Sequence, residues 1–122
     1  MSEELLEKLT DFIQKYLPYS DRDLVKKYIQ EHNAYHTLYY ALDKDKVIGL
    51  VRFNLSQDGE VADILDLVIH PDYKGQGIAK SFITRALKDF PKGKFLTFKR
   101  GRKNRSEQRK IPISEFIKHN FF

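Results

Sequence analysis

Two aspartates and two glycines carry the chemistry legible in this chain, and all four fall in one stretch, Asp63 to Ala79, reading DILDLVIHPDYKGQGIA. Asp63 and Asp66 sit in an otherwise apolar, strand-like run. Aspartate packs poorly in strands, so the pair calls for a reason: a salt bridge to Arg52 or Lys99, a polar position on a solvated sheet face, or a chemical role. Downstream, Lys74-Gly75-Gln76-Gly77 leads into a helix-compatible segment. Two glycines allow close approach to the backbone, and the first N–H groups of a helix have no intrahelical partner. A strand, a glycine turn and a helix start therefore make a seat for an anion such as phosphate.

Several other chemistries are excluded or disfavoured. The 122 residues contain no cysteine, which rules out thiolate nucleophiles, disulfides and Cys-based zinc sites within this chain. His32, His36, His70 and His119 lack the spacing of a metal site, so no metal is expected. No apolar run approaches the roughly 20 residues needed to cross a bilayer, and the opening MSEELLEKL is acidic and amphipathic. The expectation is a cytoplasmic protein with no membrane partner. Its formal charge of +5 is localised: residues 99–122 hold eight basic and two acidic side chains, against 14 and 15 in residues 1–98. Such a cluster attracts an anionic cofactor, a nucleic acid or an acidic partner.

The elements that must position these residues follow from period and punctuation. Leu5, Leu6, Leu9, Phe12, Ile13, Tyr16 and Leu17 recur at helical spacing behind Ser2, and Pro18 stops the helix. A second helix is expected from a capping Ser20, with Leu24, Val25, Tyr28 and Ile29 on its apolar side. Residues 35–42 and 46–55 read as a β-hairpin and 61–69 as a third strand after the turn Gln57-Asp58-Gly59-Glu60. A helix from Gly75 or Gln76 to Phe90 and a short strand, Phe95 to Phe98, complete a βαβ crossover, whose last strand must run parallel to the third. The fold class expected is α/β (α+β): a mixed, mainly antiparallel sheet flanked by helices, in one domain over residues 1–122. Ser106 to Lys110 reads as the start of a helix broken by Pro112, with another short helical piece from Ser114.

This order of elements, together with LDLVIHPDYKGQGIAKSFI, resembles the GNAT superfamily of acetyl-coenzyme A dependent N-acetyltransferases. The likeness is densest over residues 36–98, where a strand meets a P-x-Y-[RK]-G-x-G-[IL]-[GA] turn and a cofactor-binding helix. It implies a parallel strand pair that splays open at the cofactor. It also implies that main-chain N–H groups of Lys74, Gly75, Gln76, Gly77, Ile78 and Ala79 surround the pyrophosphate of acetyl-CoA, and that Val68 and Ile69 pair with the pantetheine arm. Asn104 matches a position near the coenzyme. Asp72 stands where the stricter motif has Gln or Arg.

The resemblance further implies a carboxylate base on the motif strand, for which Asp63 and Asp66 are the candidates. Three residues apart, they point to opposite faces of a regular strand, and a β-bulge would change that. Tyr35, Tyr39, Tyr40 and His36 are candidates for an acceptor groove. Two family features are missing: a strand before the first helix, and a tyrosine near the end, since none follows Tyr73. The expected activity is acetyl transfer to an amine, on a small molecule, peptide or protein, by direct attack within a ternary complex. The alternative is a catalytically inactive GNAT-like module that binds nucleic acid or a protein through the basic segment 99–110. Phe121 and Phe122 are read as packing residues or as a homodimer contact.

Overall fold

A computed structural model describes residues 1–102 and 105–118, and the side chains of these except residues 100–102 and 105–108. Asn104, Phe121 and Phe122 lie outside the described residues.

Two helices come first. Helix α1 spans Glu3–Tyr16, and Ser2 caps it by accepting the Leu5 N–H at 3.1 Å. Helix α2 spans Arg22–Ala34. Its cap is Asp21, which accepts the Leu24 N–H at 3.1 Å, so the expected Ser20 cap moves one residue on. A carboxylate serves better there because its charge also meets the positive end of the helix dipole. Arg22 reaches back to Glu7 and Asp11, and Lys26 to Glu7, which ties the two helices side by side.

Five strands form one sheet in the order β1 (Leu38–Asp43), β2 (Lys46–Leu55), β3 (Val61–Ile69), β4 (Phe95–Arg102) and β5 (Arg105–Pro112). All neighbours are antiparallel except β3 and β4, which are parallel and joined through helix α3 (Ile78–Asp89). This is the crossover read from the sequence. Helix α4 (Ile113–Lys118) follows β5. Helices α1 and α2 bury Leu9, Phe12, Ile13, Val25 and Ile29 against Leu38, Val47 and Leu50 of one sheet face. Helices α3 and α4 bury Phe82, Ile83, Ile113 and Phe116 against Tyr39, Val51, Phe53, Ala62 and Leu96 of the other. Where α3 crosses β2 the fit is tight: a Cβ at Gly49 would lie 3.0 Å from the Ile78 side chain and 3.2 Å from that of Ile69.

Two expectations fail at the end of the chain. Residues 106–110 are strand, not helix, and β4 runs four residues beyond Phe98. The two errors have one cause. Strand β4 offers an edge whose main-chain groups need partners, and β5 satisfies them while placing Ile111 opposite the fully buried Leu96. Pro112, at the end of that edge strand, costs the ladder nothing.

Among the described residues, two non-glycine residues take positive φ. His36 (φ 60°) follows α2, where its N–H donates to Asn33 O and the Thr37 N–H to His32 O. These are the two bonds of a Schellman cap, whose left-handed position normally holds glycine. Lys44 (φ 55°) is the first of two hairpin residues between Asp43 and Lys46, a position that also favours glycine.

Candidate active site

The parallel pair opens as the family resemblance implies. Pairing of β3 with β4 runs through Val61↔Phe95, Ala62↔Leu96 and Asp63↔Thr97 and stops at Ile64↔Phe98. Beyond that point β3 continues to Ile69 and β4 to Arg102 with a gap between them. A cleft of about 570 Å³ follows the β3 side of the opening, lined by Tyr16, Leu17, Leu67, Val68, Ile69, Pro71 and Lys74.

Main-chain direction along this wall follows from two hydrogen bonds. The Phe53 N–H donates to Thr37 O at 3.1 Å and the His70 N–H to Ile48 O at 2.8 Å. Antiparallel ladders alternate, so Val68 directs its N–H and C=O toward Leu50 of β2, whereas Leu67 and Ile69 direct theirs into the gap. Of the expected pair, Ile69 is placed to meet an extended ligand through its main chain and Val68 is not. Leu67 directs its main chain the same way as Ile69.

At the far end of β3 a single 3-10 turn, Pro71–Tyr73, is capped by His70, whose Nδ1 accepts the Asp72 N–H at 3.1 Å. The Tyr73 hydroxyl donates to Asp43, which fastens the turn to the β1–β2 hairpin. Gly75 and Gly77 then adopt φ of 80° and 81°, left-handed values that other residues rarely take. A Cβ at either glycine would meet nothing within 4 Å. The space above the loop is open. Gly77 is the N-cap of α3 and offers no side-chain cap, so the first N–H groups at Ile78 and Ala79 face outward beside the exposed Lys74, Gly75 and Gln76. The sharp glycine turn and uncapped helix start fit an anion held by main chain, as a pyrophosphate would be.

The two aspartates occupy different settings. A bulge lies in β3, since Arg52 pairs with Asp66 but Phe53 pairs with Ile64, which leaves Leu65 over. Asp63 and Asp66 therefore share the sheet face that carries α1 and α2. Asp66 is buried and fully engaged: Oδ2 accepts from Arg52 Nε at 2.7 Å and Oδ1 from the Tyr19 hydroxyl at 2.7 Å. Arg52 is also buried, packs 4.9 Å above the Tyr28 ring and donates to His32 Nε2 at 3.2 Å. His32 must then carry its proton on Nδ1, which lies 3.1 Å from Phe53 O. Burial, aided by the Arg52 guanidinium, holds the His32 imidazole below its ordinary value. Burial followed by the Asp66 carboxylate raises the Tyr19 phenol. Asp63 is only half-buried and accepts a 2.7 Å hydrogen bond from the Thr97 hydroxyl at Oδ1.

The proposed acceptor aromatics are elsewhere. Tyr39 is buried and donates to Asp89 Oδ2 at 2.7 Å, under the Arg85 guanidinium. With His36 and Tyr40 it lines a separate cavity of about 570 Å³ at the β1 edge, three strands from the opening. Tyr35 is 76% exposed and lines another hollow, with Asn54 and Glu31. Tyr19 and Thr97 were not singled out from the sequence. One lies in the short α1–α2 connection and the other in an apolar tetrapeptide, and neither setting marks them.

A profile described as the acetyltransferase (GNAT) family matches residues 3–105. The chain belongs to the GNAT acetyltransferase family. Among solved structures, Tetrahymena GCN5 superposes with a TM-score of 0.64 at 13% identity, covering 90% of this chain and 87% of that one. An aminoglycoside 6'-N-acetyltransferase complexed with coenzyme A gives 0.62 at 15% identity, covering 80% of this chain and 56% of that one, so this GNAT chain spans little more than half its length. A GNAT family acetyltransferase from Streptococcus pneumoniae gives 0.55 at 26% identity, over 81% and 70%. No curated protein matches this chain in sequence. Among the described residues, no helix is long and apolar enough to cross a membrane.

Proposed function

We propose that this protein is an N-acetyltransferase that binds acetyl-CoA in the opening between β3 and β4 and acetylates an amine approaching from the α1–α2 face. The reading rests above all on the parallel pair that stops at Ile64↔Phe98 beside an uncapped, glycine-turned helix start. The main chain of residues 74–79 holds the pyrophosphate, with Lys74 beside it, and Leu67 and Ile69 meet the pantetheine amides as a missing strand would. Bound there, acetyl-CoA supplies a thioester whose C–S bond breaks as the product C–N bond forms, the amine proton passing to a base and the thiolate taking one up.

Asp63 is the base in this reading. It is half-buried, one register short of the opening, with one carboxylate oxygen uncommitted among the described contacts. Asp66 is a structural strut, because its two oxygens already serve Arg52 and Tyr19. Without cysteine no acyl-cysteine forms on this chain, so the amine attacks directly within a ternary complex. The acceptor class favoured is an amine on a peptide or protein, since the buried residues of α1 and α2 pack against β1 and β2, while the pairing of β3 with β4 ends farther along the sheet. Calorimetry with acetyl-CoA is the direct test: absence of binding at micromolar protein overturns the proposal.

One observation favours a second reading. The main chain of Lys99 to Arg102 pairs antiparallel with Arg105 to Lys110, so the basic cluster of the sequence lies along two neighbouring strands, a charge density that attracts an anionic macromolecule in a GNAT-like module without turnover. Salt-dependent nucleic-acid affinity together with no thiol release from acetyl-CoA would select it.

A further inference from the structure

Asp63 and Thr97 face each other across the parallel pair, one register before pairing ends. We propose that Thr97 is a positioning residue that fixes the Asp63 carboxylate for proton transfer from the acceptor amine. The inference rests on the acetyl-transfer reading above and adds to it the group that aims its base.

Three features of Thr97 suit it to this task. An ionised carboxylate only accepts hydrogen bonds, so the 2.7 Å contact has the Thr97 hydroxyl donating to Oδ1. Thr97 is 8% exposed, and its β-branched side chain has few rotamers open to it, which sets the direction of the hydroxyl. Its backbone is paired on both sides, with Asp63 on β3 and Lys110 on β5, so the strand cannot drift. A site held by strands rather than loops keeps its geometry within a fraction of an ångström.

The contrast with Asp66 gives the arrangement its chemical meaning. Both oxygens of Asp66 are spent on a buried arginine and a tyrosine. Asp63 has Thr97 as its partner among the described residues, and with Oδ1 held, Oδ2 is the oxygen left to face an amine. A carboxylate free to rotate about its terminal torsion would share its time among orientations, of which few meet the acceptor. One hydrogen bond from a rigid donor removes that freedom, and misplacement of a reacting group by about 1 Å can cost 10²-fold in rate.

The experiment uses the full chain and four variants: Thr97→Val, Thr97→Ser, Asp63→Asn and the double variant Asp63→Asn with Thr97→Val. Thiol release from acetyl-CoA is followed with the best acceptor from a panel of unblocked lysine peptides and small primary amines, and acetyl-CoA affinity is measured by calorimetry. Thr97→Val is expected to lower kcat about tenfold, a part of the roughly 10²–10⁴-fold that general acid–base catalysis contributes, with acetyl-CoA Kd unchanged. Thr97→Ser, which keeps the hydroxyl, stays within about twofold, and the double variant matches Asp63→Asn alone. A purely structural Thr97 would instead weaken acetyl-CoA binding or lower the rate equally in both backgrounds, and either result overturns the inference. If Asp63→Asn slows release but Thr97→Val does not, the inference fails and the acetyl-transfer reading stands. If the unsubstituted chain releases no thiol with any acceptor, both fall; if Asp63→Asn leaves the rate unchanged, the inference and the assignment of Asp63 as base fall while acetyl transfer stands.

Discussion

Replacing Asp66 with asparagine separates a strut from a base. Asp66 and Arg52 are 6% and 7% exposed and joined at 2.7 Å, so neither is compensated by water. Asparagine keeps the shape but leaves Arg52 buried with a neutral imidazole, a ring face and an amide as its surroundings. Breaking a buried pair from one side costs about 3–5 kcal/mol, and the surviving hydrogen bonds put this case near about 3. For a chain of this size that lowers the melting temperature by about 10 °C. The assay is urea and thermal unfolding followed by circular dichroism, with thiol release from acetyl-CoA measured well below the transition. Activity per folded molecule should fall less than about threefold, a barrier change below about 0.7 kcal/mol. Removing both charges together, with Arg52→Met and Asp66→Leu, should recover most of the stability lost by either single change. If Asp66→Asn melts within about 2 °C of the unsubstituted chain and abolishes acetyl transfer, the assignment of Asp66 to the scaffold is wrong.

Gly77→Val should cost about 1–2 kcal/mol, because φ is 81° while the surrounding space is open, and should remove acetyl-CoA binding from a domain that still unfolds cooperatively. An unchanged Kd would refute the proposed cradle. Conversely, His36→Gly and Lys44→Gly each relieve a left-handed non-glycine residue and should raise stability by about 0.5–1 kcal/mol, read as a higher urea midpoint. His32 gives a pH signature. Its folded value is depressed below the ordinary 6.5, so its contribution is present above that pH and is lost as the unfolded chain takes up a proton that the fold resists. The urea midpoint should fall between about pH 7.5 and 5.5, and His32→Gln should flatten that fall; equal slopes in the two proteins would show the imidazole to be uncoupled.

The glycine turn and the crossover were legible because their signals are local. Pro71, Tyr73, Gly75 and Gly77 write their own backbone geometry, and the crossover direction follows from element order. The setting of the two aspartates depends on pairings between distant residues. The bulge at Leu65 moves Asp63 and Asp66 onto one face, and no residue type there announces it. Thr97 gains its meaning only from standing opposite Asp63, and the partner of Asp66 was named among its alternatives but could be chosen only in three dimensions. Strand β5 was missed for a related reason: its residues are mostly charged, and it is strand because β4 needs a neighbour. The cap at His36 lacks the glycine that usually marks such a position, so the hairpin's first strand was set three residues too early.

Gly49 touches no proposed ligand, yet it sets a length. The first turn of α3 rests on the bare backbone of β2, with Ile78 filling the place a side chain would take. Because Ile78 is also the first residue of that helix, the spacing between helix and sheet is the spacing between the anion seat and the open strand edge. The covalent chain that joins a phosphate to a thioester is flexible, so it sets only the longest separation the two can span. Absent atoms at position 49 keep helix and sheet close, and a single added methyl there would press on Ile78 and Ile69 and so shift the glycine-turned helix start against the strand edge.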